Sequence, residues 1–419
     1  MQDEHLSSIV QRTRYVRQSI LLTQMASKGT IGILTGGGDV PGLNPAIRAI
    51  TIRALREGYR VIGIRRGWAG LVDYSRDKDA DNGENIQELS EAIVNRAGRT
   101  GGTFLHTSRT RPSHLPLERL PKHMTGYQDK INDVTKDVVK NLEHIGVDVL
   151  IPIGGDDTLS YGKRLHDEGV HVVAIPKTMD NDVYGTDYCI GFSTCVTRTI
   201  ELTHALRTSA GSHERFLVIE VFGRYAGFTA LLPAMAGAAD RCVIPEYPAD
   251  VQQLAELMMY DRNRNPSRYA VCLVSEGASL KSHEGMSFEG QETDMFGHRK
   301  LGGIGDKIGA ALKEFSPKYN NGRRVDVVNQ RLGYLVRSGD PDALDSIVPM
   351  AFGNLATDLL MRKQFGRLVS VHKGFYDSVP ITSVTSEKKV VDVKKYYNTD
   401  RLRPIYNFDG APLFIMTSD

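Results

Sequence analysis

The sequence has few cysteines and no long apolar run. Its 419 residues include only 4 cysteines, and none of them belongs to a Cys-x-x-Cys pair. We therefore expect Cys189, Cys195, Cys242 and Cys272 to be buried free thiols, as is usual in a reducing compartment. No apolar run approaches the ~20 residues that a membrane-spanning helix needs. These absences predict a cytoplasmic protein that does not contact a membrane.

The chain also lacks a large excess of positive or negative residues. The formal net charge is +2 with 24% charged residues, so the surface has no field that would attract nucleic acid. Residues 1–5 lack the basic start and apolar core of a signal peptide, and Asp3 and Glu4 argue against a transit peptide. We expect residues 8–22, where arginines separate apolar residues, to form a packing or oligomer-facing helix.

Short β-branched apolar runs alternate with helical patterns along the chain. This order predicts an α/β protein whose parallel sheets are covered by helices on both faces. The predicted helices are 44–56, 131–144, 196–207, 225–236 and 251–260, and the predicted strands are 30–35, 60–64, 147–153, 171–175, 216–221, 269–274 and 325–329.

The same order predicts two α/β units. One covers about residues 30–190 and the other about residues 193–335. Residues 342–419, with a helical pattern and a short strand at 368–371, should pack back on one or both units. Ligands of such folds collect at the carboxyl ends of the strands, where glycine turns and acids occur in this sequence.

The first glycine turn follows the strand at 30–35 and reads TGGGDVPGLNP from Thr35 to Pro45. Glycines at the start of a helix let backbone amides approach a phosphate. The turn matches neither G-x-G-x-x-G nor G-x-x-x-x-G-K-[ST], so it supports neither a dinucleotide site nor a P-loop. A tight strand-to-helix turn without a ligand is the alternative interpretation.

The second glycine turn, Gly154-Gly155-Asp156-Asp157-Thr158, follows the strand at 147–153. Acidic side chains beside an anion site repel the anion, so a cation is needed to offset that repulsion. Magnesium can do this because it binds carboxylate and phosphate oxygens together. The turn therefore predicts a magnesium ligand at Asp156. Helix capping is the alternative, and it applies more to Asp157 than to Asp156.

The segment PKTMDND, from Pro176 to Asp182, follows the strand at 171–175 and carries two acids. A phosphoryl acceptor hydroxyl must lose its proton, and a positioned aspartate can take it. Lys177 adds a cation within reach of a phosphate. An Asx-turn after a strand is the alternative. Together with the glycine turns, the acids Asp180 and Asp182 predict phosphoryl transfer.

Arginines supply further candidates. Arg224, in the stretch EVFGRY that begins at Glu220, could bind a sugar or phosphate oxygen through two hydrogen bonds. Most arginines are solvated surface groups, so each of the others is only a candidate by itself. These others are Arg109, Arg215, Arg331 and Arg337.

Seven ordered segments between Gly36 and Gly339 resemble the phosphofructokinase family: GGGDVPGLNPAIR, GGTFLHTSR, GGDDT, PKTMDND, GTDYCIGF, SHERFLVIEVFGRYAG and LGYLVRSG. The resemblance implies two Rossmann-like three-layer α/β units with the active site between them. It also implies magnesium-dependent transfer of a phosphoryl group to the 1-hydroxyl of fructose 6-phosphate. We then expect an N-terminal extension at 1–29, a donor-binding domain at 30–191, a sugar-binding domain at 192–336 and a C-terminal segment at 337–419 packing on both.

The resemblance also implies roles for individual residues. Asp180 matches the general base, and Thr178 and Asp182 flank it in the substrate and metal region. Asp156 matches the magnesium ligand. Positions that match donor-phosphate contacts are Gly37, Gly38 and Arg109, and those that match sugar-phosphate contacts are Phe222, Gly223, Arg224, Glu276, Arg337 and, from a neighbouring subunit, Arg215. We therefore expect a homodimer or homotetramer.

Some positions depart from the family pattern. Tyr334 replaces the histidine common in ATP-using members, although its hydroxyl can still donate to phosphate. Val328 lies where a second cross-subunit arginine is expected, and Arg324 or Arg331 could substitute. Two arginines of the bacterial effector site have counterparts, while a third is replaced, which leaves allosteric control open; these positions are Arg48, Arg207 and Ile52.

Two positions bear on the phosphoryl donor. ATP-using members resemble GGDG and PGT at the two loops, whereas this sequence has Asp157, followed by Thr158, and Lys177. Asp157 places volume and negative charge where an α-phosphate would lie, and Lys177 offers a compact cation to pyrophosphate. The pair favours pyrophosphate over ATP. An ATP-dependent phosphofructokinase and a non-catalytic sugar-phosphate-binding regulatory protein are the alternatives, and no G-x-G-x-x-G supports an oxidoreductase.

Overall fold

The structure is a computed structural model that describes residues 27–281, 288–293 and 299–406. Most of the predicted N-terminal extension, including the helix expected at residues 8–22, lies outside the described residues. The described strands are β1 (Thr30–Thr35), β2 (Arg60–Ile64), β3 (Ile86–Glu88), β4 (Leu115–Pro116), β5 (Ile131–Asn132), β6 (Val149–Gly154), β7 (Val173–Pro176), β8 (Phe216–Val221), β9 (Arg241–Val243), β10 (Ala270–Ser275), β11 (Phe288–Thr293), β12 (Arg299–Leu301), β13 (Val327–Arg331), β14 (Arg367–His372), β15 (Phe375–Pro380), β16 (Tyr397–Asn398) and β17 (Arg403–Pro404).

Helices connect most of these strands. The described α-helices are α1 (Leu43–Arg56), α2 (Trp68–Asp73), α3 (Glu91–Ala97), α4 (Thr135–Ile145), α5 (Asp156–Asp167), α6 (Phe192–Ser212), α7 (Phe228–Met235), α8 (Val251–Arg264), α9 (Ile304–Tyr319), α10 (Ala343–Met361) and α11 (Val393–Tyr396). Short 3-10 helices lie at Pro112–His114, Leu117–Arg119, Gly333–Val336 and Ile381–Thr385.

Two larger sheets organise the fold. The first has the strand order β15-β14-β7-β6-β1-β2-β3 and is parallel except for its two edge strands. The second has the order β13-β8-β10-β9 and is entirely parallel. Helices pack on the sheets, and β1, β6, β8 and β10 are buried along their whole length. The predicted α/β class is therefore confirmed.

The chain after β13 returns to both sheets. Helix α10 packs against α1, and β14 and β15 extend the first sheet beside β7. Farther along, β17 contacts β9 and α7 at the second sheet. The C-terminal segment thus contributes to both units, and the exact domain boundaries stay a prediction.

The helix predicted at 131–144 is wrong at its start. Ile131 and Asn132 instead pair with β4, and α4 begins at Thr135. The carboxylate of Asp133 accepts the backbone N–H of Thr135 at 2.9 Å, which ends the extended stretch and opens the helix. Apolar periodicity alone did not reveal this local competition between side chain and backbone.

The remaining predictions at the level of the fold concern the cysteines and the membrane. All four cysteines are buried and unpaired, as predicted, and burial raises the pKa of Cys189 to about 12. In the part of the chain that the structure describes, no helix has both the length and the apolar character needed to cross a bilayer.

Candidate active site

Three predicted loops follow neighbouring strands of the first sheet. The glycine turn follows β1, the turn that opens α5 follows β6, and the segment Lys177–Asp182 follows β7. Parallel strands β7, β6 and β1 are adjacent, so their carboxyl ends lie at one edge of the sheet. The topology therefore gathers residues that are more than 100 positions apart in the sequence.

Lys177 is attached to the glycine turn. Only 4% of this lysine is exposed, and its Nζ donates a hydrogen bond to the carbonyl oxygen of Gly38 at 2.7 Å. Burial, and next the nearby charge of Arg337, lower the pKa of Lys177 to about 8; Arg109 acts in the same direction. Lys177 and Arg337 thus both reach Gly38 of the glycine turn, where positive charge suits an anion. Asp39 of the same turn, however, lies 3.6 Å from Arg337.

The rest of this turn is held by its own hydrogen bonds. The N–H of Gly37 donates to the carbonyl of Ser108 at 2.9 Å, and the hydroxyl of Thr107 donates to the carbonyl of Gly37 at 2.7 Å. Thr158, in the first turn of α5, is buried beside Gly36. The two glycine turns therefore pack directly on each other.

Acidic groups lie beside these turns. Oδ1 of Asp156 and Oδ1 of Asp180 are buried and have no hydrogen-bond partner among the described residues. Burial, and next the charge of Asp182, raise the pKa of Asp156 to about 7. Burial, Asp182 and Glu276, in that order, raise the pKa of Asp180 well above its usual range.

Asn181 gives this acidic loop its shape. It is fully buried and has a φ of 56°, in the left-handed region that asparagine tolerates better than most residues. Its Oδ1 accepts the N–H of Cys189 at 2.8 Å, and its Nδ2 donates to the carbonyl of Asp187 at 3.0 Å. The anchored amide holds Asp180 and Asp182 on either side of it, a role that the sequence analysis missed.

Asp157 differs from Asp156 although the two are adjacent. Its side chain is 68% exposed, and its Oδ2 lies 2.8 Å from Nη2 of Arg111. No side-chain cap is formed at the N-terminus of α5, where Gly155 is the capping residue. The alternative role of Asp157 as that cap therefore does not apply, and its ion pair with Arg111 was not foreseen.

Loops of the second sheet carry the predicted sugar-binding residues. Gly223, after β8, has a φ of 118°, and a Cβ there would lie 2.7 Å from the carbonyl of Ala226. The neighbouring strand β10 leads to Glu276, whose N–H donates to Val221 at 2.9 Å. Burial raises the pKa of Glu276 to about 7, and Arg224 opposes this shift.

Two features join the loops of the two sheets. Arg224 and Glu276, on loops of the second sheet, lie close enough to Asp180 to shift the pKa of that carboxyl. The guanidinium of Arg337 lies 4.3 Å from the ring centroid of Tyr334 and 5.7 Å from that of Phe222. A Cβ at Gly38 would overlap Nη1 of the same arginine. The structure thus brings most of the predicted residues of both units together.

Arg215 is the clear exception. It immediately precedes β8, whereas Phe222 follows it, so the two residues lie at opposite ends of a buried strand. The structure therefore does not bring Arg215 to the site of its own chain. Arg331 faces Glu220, with Nε and Oε1 2.8 Å apart, so it already has a partner within the chain. Cross-subunit roles for these arginines stay a prediction.

Two C-terminal lysines also lie at the site, and the sequence analysis did not select them. Nζ of Lys389 donates to the carbonyls of Thr186 at 2.7 Å and Asp187 at 3.0 Å. Nζ of Lys388 lies 3.4 Å from the ring centroid of Tyr225. Lys389 is 203 residues from Thr186 in the chain, so no local motif could have revealed the contact.

Glycine turns, cations and acids that face one another across two α/β units define a protein that handles phosphate groups. The sequence profile described as Phosphofructokinase matches residues 30–360. The chain therefore belongs to the phosphofructokinase family, and this membership supports a phosphotransferase activity.

Individual relatives agree on the family and differ in their named donor. The chain is 37% identical over 386 residues to the pyrophosphate–fructose 6-phosphate 1-phosphotransferase of Dictyoglomus thermophilum, covering 89% of this chain and 99% of that protein. It is 35% identical over 372 residues to the ATP-dependent 6-phosphofructokinase 3 of Streptomyces coelicolor, covering 87% and 97%. The pyrophosphate-dependent phosphofructokinase of Marinobacter aquaeolei shares the fold, with a TM-score of 0.69, 16% identity and coverage of 93% and 92%.

Lys389 should be needed mainly for stability. Replacing it by methionine leaves two buried carbonyls without their donor, so we expect the free energy of unfolding to fall by about 1–3 kcal/mol. Urea unfolding followed by circular dichroism measures this change. Lys394→Gln, an exposed lysine in the same segment, is the control and should be nearly neutral. A Lys389→Met variant as stable as that control would contradict the assigned role.

Glu276 should make the ligand-free protein less stable as the pH rises. Its folded pKa of about 7 lies above the ordinary value of 4.5, so the stabilising contribution is present below pH 4.5 and is lost through pH 7. This pKa shift corresponds to a decrease in the free energy of unfolding on the order of 3 kcal/mol. Glu276→Gln should flatten the fall in melting temperature over this range, measured without ligands. If the melting temperature of Glu276→Gln falls with pH as much as that of wild type, the raised pKa assigned to Glu276 is refuted.

Proposed function

We propose that this chain is a reversible, pyrophosphate-dependent 6-phosphofructokinase. It transfers a phosphoryl group from pyrophosphate to the 1-hydroxyl of fructose 6-phosphate and releases phosphate. The observation that carries the proposal is the proximity of Asp180, on a loop of the first sheet, to Arg224 and Glu276, on loops of the second, whose charges act on the pKa of Asp180. This proximity brings a carboxylate with raised proton affinity to the place where donor and sugar would meet.

The domain roles follow from the two groups of loops. Residues 30–191 would bind the donor through the glycine turns and Lys177, and residues 192–336 would bind the sugar. Arg224 and Glu276 can hydrogen-bond sugar hydroxyls, while Arg337 and Tyr334 can bind the 6-phosphate. A neighbouring subunit would add Arg215, which supports a homodimer or homotetramer as the active form.

In the reaction, Asp180 would accept the proton of the 1-hydroxyl. The bond between that oxygen and phosphorus forms as the bridging P–O bond of pyrophosphate breaks, and phosphate leaves. A raised pKa makes Asp180 a stronger base than an exposed aspartate, which suits this role. Thr178 keeps the loop in place, because its hydroxyl accepts the N–H of Asp180 at 3.2 Å. The same residue lowers the pKa of Asp182, against the upward effect of burial.

The residues present fit a magnesium ion. Oδ1 of Asp156 is a buried carboxylate oxygen that has no hydrogen-bond partner within residues 27–281, 288–293 and 299–406, and hard oxygen ligands suit this cation. No group of three or more His, Cys, Asp or Glu side chains among the described residues could hold a metal. An ion with one or two protein ligands, whose other ligands are phosphate oxygens and water, agrees with that finding. When bound, it would offset the negative charge of the donor.

Pyrophosphate is the proposed donor because of two neighbouring positions. Asp157 places a negative group at the start of α5, where the nucleotide beyond the β-phosphate would continue. Lys177 provides a nearly buried cation on the carbonyl of Gly38. ATP is the alternative donor, since relatives of similar identity carry either name.

Asp180→Asn should abolish most turnover without loss of the fold. The amide cannot take the hydroxyl proton, so we expect kcat to fall by ~10²–10⁴-fold in both directions. Binding of fructose 6-phosphate, measured by calorimetry, should persist. Near wild-type kcat would exclude Asp180 as the base, and a protein that turns over no phosphoryl donor even in the wild type would favour a non-catalytic regulatory function.

Asp157→Gly should make ATP usable. The substitution removes volume and charge and also releases Arg111 from its ion pair, which leaves a cation near the added phosphate. We expect wild type to prefer pyrophosphate and the variant to shift the ratio of kcat/KM for ATP to that for pyrophosphate upwards by at least about tenfold, since each 1.4 kcal/mol is a factor of ten.

Asp157→Asn is the matched control for that experiment. It keeps the volume and removes the charge, so its shift separates the two contributions. Adding Lys177→Met to Asp157→Gly should lower kcat/KM for pyrophosphate further. The effects of the two substitutions should not add, because both positions face one phosphate chain. A wild type that prefers ATP, or a donor ratio that Asp157→Gly leaves unmoved, would refute the donor assignment.

A further inference from the structure

The C-terminal segment that follows the 3-10 helix Ile381–Thr385 is fixed to the acidic loop. The N–H of Lys389 donates to the carbonyl of Asp182 at 3.3 Å, and its Nζ holds the carbonyls of Thr186 and Asp187. The 3-10 helix itself packs against α5, the helix that begins with Asp156. Backbone contacts therefore place residue 388 beside the loop that carries the proposed base.

The side chain of Lys388 extends from this point to the other sheet. Its Nζ lies 3.4 Å from the ring centroid of Tyr225, the residue that follows Phe222-Gly223-Arg224. Lys388 itself is exposed, whereas Lys389 is 4% exposed and its Nζ donates to two carbonyls. Of these two neighbouring lysines, Lys389 holds backbone carbonyls, whereas Lys388 is an exposed residue whose ammonium lies over the Tyr225 ring at the junction of the two sheets.

The surroundings of Lys388 are acidic. Its charge lowers the pKa of both Asp156 and Asp182, against the upward effect of burial. Two carboxylates repel an incoming polyanion, so a cation within the same group of side chains changes whether a phosphate chain can enter. Lysine suits this position because its ammonium is a compact charge on a flexible stem.

We propose that Lys388 binds the phosphate group that is transferred between donor and sugar, as a specificity-determining cation supplied by the C-terminal segment. This inference rests on the proposed phosphotransferase function but not on the identity of the donor. In this role Lys388 contributes a positive charge and takes part in no proton transfer. Its place beside Asp156 and Asp182 favours the donor phosphate over the sugar 6-phosphate, for which Arg337 and Tyr334 are the proposed ligands.

Steady-state kinetics of Lys388→Met tests the proposal. We expect kcat/KM for the donor that wild type prefers, pyrophosphate or ATP, to fall by about 10- to 100-fold, as for loss of a charged hydrogen bond. KM for fructose 6-phosphate should change by less than about twofold, within ordinary surface effects. Lys388→Arg should restore much of the donor kcat/KM, because it keeps the charge.

Two controls separate this role from a structural one. Lys394→Gln changes an exposed lysine of the same segment and should leave every kinetic constant unchanged. The melting temperature of Lys388→Met should equal that of wild type without ligands, while the upward shift that magnesium pyrophosphate produces in wild type should be reduced in the variant.

Either of two results would overturn the proposal. One is donor kcat/KM in Lys388→Met within about twofold of wild type; the other is an equal rise in KM for both substrates, which would assign Lys388 to general packing of the junction. If wild type uses ATP instead of pyrophosphate, the donor assignment fails, yet the same measurement with ATP still decides the role of Lys388.

Discussion

The burial of several carboxyl groups between two sheets is the constraint on which the rest of the site depends. Asp156, Asp180, Asp182 and Glu276 all have a raised pKa, and burial is the first cause in each case. Carboxylates in such surroundings need cations or hydrogen-bond donors, because their charged forms have lost water. The fold supplies these groups only in part: in the portion of the chain that the structure describes, Oδ1 of Asp156 and Oδ1 of Asp180 have no hydrogen-bond partner. A metal ion, a substrate hydroxyl or a proton is what such oxygens bind.

The surrounding framework keeps this arrangement from collapsing. Asn181 adopts a left-handed conformation and uses both ends of its amide to hold the acidic loop, while Lys389 satisfies two carbonyls beneath it. These polar groups are buried and hydrogen-bonded to the backbone, so they fix the geometry of the loop. Exposed or partly engaged cations nearby, such as Lys388, are the ones available to an anion.

The donor question depends on charge rather than on fold. Relatives named for either donor are about equally similar to this chain, so family membership does not discriminate between pyrophosphate and ATP. Asp157 does carry a physical argument, but the structure adds its ion pair with Arg111, which partly neutralises it. An exposed ion pair of this kind contributes little to the free energy of folding. Under the proposed function, this pair is what a longer phosphate chain would meet at the start of α5.

Local sequence determined those features in which short-range chemistry is decisive. Apolar β-branched runs defined β1, β2 and β8 at their observed bounds, and the glycine and acidic turns after the strands marked the candidate site, because these residue types suit few other conformations. Only the tertiary structure decided which distant groups share that site. Lys388 and Lys389 come from a segment without a recognisable motif, Arg111 pairs with Asp157 across 46 residues, and Arg215 lies at the opposite end of β8. The direction of each side chain and the desolvation that raises each pKa arise from packing, which no local pattern encodes.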